Sequence, residues 1–146
     1  MRGKAAGLAF AVGVSWVVMG WPWLDRVETG RTPEYPDLEV REYRQAETEV
    51  AQAAMDAVAG LSGWALVGTA GGREGVVIRT QAVPPILRIA SEVTIRIRRQ
   101  GNATLVSVTS ASRLGLVDLG RNARHVRRFL RALDTELTGR GKGVDS

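Results

Sequence analysis

A chain of 146 residues with no cysteine, one histidine and a formal charge of +5 has room for one globular domain and an appendage. The missing cysteines exclude disulfides, zinc–thiolate sites, a cysteine nucleophile and lipidation at a lipobox. The charge is unevenly spread: residues 25–60 are acidic on balance, whereas residues 73–131 hold twelve arginines against three acids. Such a basic half attracts phosphate-bearing or acidic partners, and it also serves plain solubility.

From Ala5 to Leu24 no residue is charged, and those twenty residues make about 30 Å of helix, the thickness of a bilayer core. Arg2 and Lys4 precede the run, which by the positive-inside rule keeps the N-terminus cytoplasmic. Trp16, Trp21 and Trp23 gather toward its far end, where indoles prefer the headgroup region. Residues 1–24 are therefore expected to be an uncleaved signal-anchor helix, with lipid contact through this single span and the remainder extracytoplasmic or periplasmic. A cleaved signal peptide is the competing reading, and Val18-Met19-Gly20 is its weak cleavage match. Residues 25–38, with Gly30, Pro33 and Pro36 among mixed charges, read as a linker leaving the cytoplasmic membrane.

The next element is a helix from about Glu47 to Ala59, striped by Val50, Ala54 and Val58 and by Ala51 and Met55, with Gly60 as its stop. Strands follow at Trp64–Thr69 and Glu74–Ala82, and Pro84-Pro85 end the second. Glu92 to Arg99 alternates cleanly, with Val93, Ile95 and Ile97 to one side and Thr94, Arg96 and Arg98 to the other. A turn at Gln100-Gly101-Asn102 leads to a fourth strand, Thr104–Ser110. Asp118 then stands as the N-cap of a second helix, with apolar residues at Leu119, Ala123, Val126, Leu130, Leu133 and Leu137 along one face. Short connections imply an α+β two-layer domain over residues 39–138, a four-stranded antiparallel meander covered on one face by two helices. Residues 139–146 read as a loose tail.

Ser110-Ala-Ser-Arg113, Gly115, Asp118-Leu-Gly120, Asn122 and Phe129-Leu130, together with Tyr35-Pro36-Asp37-Leu38, resemble the bacterial and plastid family called domain of unknown function 1499. The likeness runs from about Tyr35 to Leu137. One departure is Ser91-Glu92, where many members carry an aspartate pair. The resemblance implies this fold and a membrane-associated location, and it carries no reaction.

Serine-triad residue types are present in Ser110, Ser112, Asp118 and His125. With Asp118 as N-cap, however, His125 lies about 10 Å farther along the helix, out of hydrogen-bond reach. No glycine-framed serine elbow accompanies them, so His125 reads as a solvated helix residue. One histidine and no cysteine give too few ligands for a transition metal, and no cofactor is expected.

The turn formed by Ser112, Arg113, Gly115, Asp118 and Asn122 reads as structural, with Arg113 also a candidate anion contact beside the helix N-terminus. Arg79, Arg96 and Arg98 are expected on the sheet's uncovered face, as a wet surface or as a contact for an acidic partner or lipid headgroups. Val83, Ile86, Leu87 and Ile89 form an apolar loop that packs on the core or meets a membrane or partner protein. Nucleic acid is not expected, because no aromatics interleave the basic residues. The expectation is a non-enzymatic accessory, scaffold or assembly subunit among other membrane proteins, with photosynthetic and respiratory complexes as candidate hosts. Its alternative is an anion- or lipid-headgroup-binding module.

Overall fold

The computed structural model of the chain describes residues 26–33, 35–83, 90–112 and 119–142. The elements run β1 (Arg26–Glu28), β2 (Arg41–Tyr43), α1 (Glu47–Gly60), β3 (Trp64–Gly72), β4 (Gly75–Ala82), β5 (Ser91–Gln100), β6 (Ala103–Ser112) and α2 (Leu119–Lys142). They make one antiparallel sheet in the order β1-β6-β5-β4-β3, with β2 beside β1 along the same edge of β6. The fold is α+β, as the sequence pattern implies. No helix of the described residues is long and apolar enough to cross a membrane. The segment expected to do so, residues 1–24, lies outside the described residues.

Three boundaries differ from the expectation. The sheet has six strands where four were expected, because β1 and β2 each contribute a three-residue strand to the far edge of β6. β1 therefore lies within the stretch read as a linker. Val27 is fully buried opposite Ser110, and Leu38 is buried too, so apolar contact draws this segment onto the domain. Thr29 locks the connection, since its backbone N–H donates to Val108 at 3.0 Å and its hydroxyl accepts the Val108 N–H at 3.0 Å. At the other end α2 continues to Lys142, past the point where a tail was expected. Leu137 is buried there, and Arg140 pairs with Asp56 of α1.

The strand alternation holds. Val93, Ile95 and Ile97 are buried, and Arg96 and Arg98 are exposed. Val106 and Val108 of β6 and Ile78 of β4 join the dry side, onto which Val50, Ala54 and Val58 of α1 and Ala123, Val126, Phe129, Leu130 and Leu133 of α2 close. Phe129 is among the largest fully buried side chains, and Trp64 stacks on it with centroids 6.3 Å apart. Only Gly fits at 75, at the β3–β4 turn. Its φ is +110°, and a Cβ there would collide with the Ile97 carbonyl.

Phe129→Ala is expected to cost about 3–5 kcal/mol through lost burial and the cavity left behind. Gly75→Ala should cost about 3 kcal/mol through backbone strain and collision. Thermal unfolding of each purified variant beside the wild type measures both.

Candidate functional site

The covered face of the sheet is closed by helices, so chemistry directed at a partner has the opposite face to work on. Cross-strand register sets its rows. Arg96 stands between Val77 and Ser107, Arg98 is opposite Leu105, and Arg79 is opposite Thr94. At the β1 edge Arg26 is opposite Ala111 and Glu28 is opposite Thr109. The face forms an open trough of about 1000 Å³ lined by Arg26, Arg31, Arg73, Arg96, Arg98 and Arg99, with Glu28, Glu47 and Glu74 among the acids. Arg79, on the same face, stands outside the trough lining. The alternation places Arg96 and Arg98 about 7 Å apart on one side of one strand.

Two of these arginines are already engaged. Arg31 lies 3.6 Å from the Glu28 carboxylate. Arg99 donates to the carbonyls of Gly101 at 3.1 Å and Gln45 at 3.3 Å and to the Thr104 hydroxyl at 3.3 Å, tying the end of β5 to the start of α1. Arg26, Arg73, Arg79, Arg96 and Arg98 have no carboxylate within 4.0 Å among the described residues. Unpaired guanidiniums on a single face sum into a positive field that favours a planar, bidentate acceptor such as phosphate or carboxylate.

The sequence motifs do different work. Arg127 of α2 holds the Asp37 carboxylate with two hydrogen bonds, at 2.7 and 2.8 Å, and its guanidinium lies 5.3 Å from the centroid of the Tyr35 ring. That hydrogen bond holds the Asp37 carboxyl below its usual value and raises Arg127 in turn. Tyr35, Asp37 and Leu38 thus fasten the chain leaving β1 to the outer helix. At the other motif the buried Ser110 hydroxyl donates to Asn122 Oδ1 at 2.8 Å, and Asn122 Nδ2 donates to the Ser112 hydroxyl at 3.1 Å. Asn122 is fully buried and joins the end of β6 to the first turns of α2. A third tie comes from β2. The Tyr43 hydroxyl donates to Asp134 at 2.6 Å, with Arg41 3.6 Å from the same carboxylate. Burial foremost, then the bond to Asp134, pushes the Tyr43 hydroxyl above its usual value.

Of the residues singled out from sequence, Arg79, Arg96 and Arg98 share one exposed face, and Ser112 and Asn122 meet in one hydrogen bond. Val83 is 40% exposed. Trp16, Trp21, Trp23, Ile86, Leu87, Ile89, Arg113, Gly115 and Asp118 lie outside the described residues. His125 corrects the expectation of a solvated residue. It is buried, with its ring edge-on to Trp64 at 5.9 Å, because α2 turns that position toward β3. Sequence reading missed Arg26, Arg31, Arg73 and Arg99 among the arginines lining the trough, and the parity of β5 sets Arg99 apart from Arg96 and Arg98. Arg26 and Arg31 sit in the stretch read as a linker, and Arg73 sits in a turn with no alternation to assign it a side.

A family model described as "Protein of unknown function (DUF1499)" matches residues 23–133. No curated protein matches the chain.

Asn122→Ala should cost about 2–3 kcal/mol, because it strands the buried Ser110 hydroxyl, and Ser112→Ala should cost about 1 kcal/mol. Urea titration followed by circular dichroism measures both. The Tyr43 tie has a pH signature. A hydroxyl whose folded pKa is raised contributes stability that is complete below its unfolded value, about 10. That contribution declines as the pH climbs from there toward the folded value. Melting temperatures of the wild type should fall more steeply above pH 10 than those of Tyr43→Phe, and parallel curves would contradict the tie.

Proposed function

The chain belongs to the DUF1499 family of proteins of unknown function, and we propose that this member is a membrane-anchored, non-enzymatic accessory module. In this reading its arginine-lined sheet face receives the phosphate headgroups of anionic lipid. The observation that carries the reading is the set of exposed guanidiniums, Arg26, Arg73, Arg79, Arg96 and Arg98, without a carboxylate partner among the described residues. The reach of the chain gives the ligand its class. The charge-free run ends at Leu24, and Arg26 lines the trough. Two residues of chain span at most about 7 Å. An anchor ending at the headgroups therefore holds this edge of the trough beside them, on the extracytoplasmic side. Each arginine near an anionic surface is worth about 1 kcal/mol, so several acting together give a binding face. Among the described motif residues, Tyr35, Asp37, Ser110, Ser112 and Asn122 are occupied in fastening elements to one another, which supports a binding role over a catalytic one.

Val83, itself 40% exposed at the start of an apolar run in the sequence, favours a second reading, in which the module docks onto another subunit of a larger membrane complex. Native mass spectrometry of the detergent-extracted full chain, titrated with phosphatidylglycerol, tests the first. Replacing Arg96 and Arg98 by alanine together should weaken lipid retention about thirtyfold, the equivalent of about 2 kcal/mol. Equal retention by wild type and variant, with co-purifying membrane subunits, would shift the assignment to the second reading.

A further inference from the structure

The two margins of the sheet are built differently. One is formed by β1 and β2, three residues each and bearing Arg26, Glu28, Arg41 and Glu42, short and charged as natural edges are. The other is β3, nine residues long, without a charge or a proline, and paired only with β4 among the described residues. The helix layer reaches its Trp64 end and leaves Ala65–Gly72 exposed. Leu66 and Val67 are each 51% exposed. A long neutral edge with free N–H and C=O groups is a template for another strand.

The occupant can be read from the strand's own irregularity. Leu66 is opposite Thr80 and Gly68 is opposite Arg79, so Val67 is a bulge with no counterpart on β4. Thr80 is buried on the helix side and Arg79 is exposed on the open side, which puts Leu66 and Gly68 on opposite faces. Thr69, paired with buried Ile78, is again on the helix side, while Ala65 and Ala70 lie on the open side, paired with Gln81 and Val77.

We propose that β3 pairs antiparallel with β3 of a second copy about a two-fold axis between Val67 and Gly68, joining the two sheets into one. In that register Leu66 meets Thr69, Ala65 meets Ala70 and Trp64 meets Gly71, so helix-side residues oppose helix-side residues and open-side residues oppose open-side ones. The bulged Val67 meets Gly68, which has no side chain and has open space where a Cβ would lie. An uncharged strand meets its own image without repulsion. The two Arg79 side chains, three strand spacings apart at about 14 Å, stand beyond the screening length of about 8 Å. An axis perpendicular to the sheet keeps both arginine faces on one side, where they engage a common surface together.

Because the chain has no cysteine, a single introduced thiol reports the geometry in the full detergent-extracted protein. Gly68→Cys lies beside the axis, within disulfide reach of its copy, and should give a covalent dimer on mild oxidation. Ala70→Cys, on the same face and about 17 Å from its copy, should not. Val67→Lys should convert the wild-type dimer to monomer in light scattering, with its circular dichroism unchanged. A monomeric wild type, a dimer indifferent to Val67→Lys, equal crosslinking at the two cysteine positions, or capture of a different protein by Gly68→Cys would each overturn the assignment.

Discussion

Strand β6 is hydrogen-bonded along both edges, and the remainder of the domain follows from that. One edge carries β5 through the whole of its ten residues, and the other carries β2 near Thr104–Val106 and β1 near Thr109–Ala111. Three-residue strands have too few backbone bonds to persist alone. They exist here because a long strand already fixed by β5 offers them a prepared edge. The loop between them must then leave and rejoin the sheet, which it does through Thr29 at one end and the Arg127 clamp on Asp37 at the other. Because the same strand leads into α2, the hydroxyl–amide contact of Ser110 with Asn122 sets where the outer helix begins its course across the sheet.

With both helices on one face, the other face is left to water, and its side chains are free of packing demands. Electrostatics decides what they can do. Arginines on neighbouring rows repel weakly in water, a cost held down by screening. The same arrangement concentrates donors for a multivalent acceptor, and a phosphate between two guanidiniums changes that repulsion into attraction. The glutamates at 28, 47 and 74 keep the trough from being uniformly positive. Glu47 is also engaged by the backbone N–H of Arg99 at 3.0 Å, which reduces its competition with an arriving anion.

Long periodic elements were legible from the sequence because each one repeats its message. Val93, Ile95 and Ile97 declare a dry side three times, and Leu130, Leu133 and Leu137 do the same for α2. β1 and β2 were invisible for the converse reason. Arg-Val-Glu and Arg-Glu-Tyr hold one alternation at most, and their pairing is decided by partners about sixty to eighty-five residues away. The arginine pair on β5 could be read from parity, whereas the arginines that complete the face come from a turn and from a segment whose prolines announced irregular chain. The burial of His125 is not legible in the sequence because its helical position lies at the margin of the apolar stripe, and only the arrival of Trp64 from β3 turns that margin into interior.

The clamps have an evolutionary consequence. Tyr35, Asp37 and Leu38 at one end and Ser110, Ser112 and Asn122 at the other fasten peripheral chain to α2 and the sheet, on the side away from the arginine face. Selection on those positions preserves architecture whatever the domain binds. Two relatives can therefore share every motif that defines the family and still present different ligands to different faces, so divergence in what they recognise would be written in the outward residues of β4 and β5.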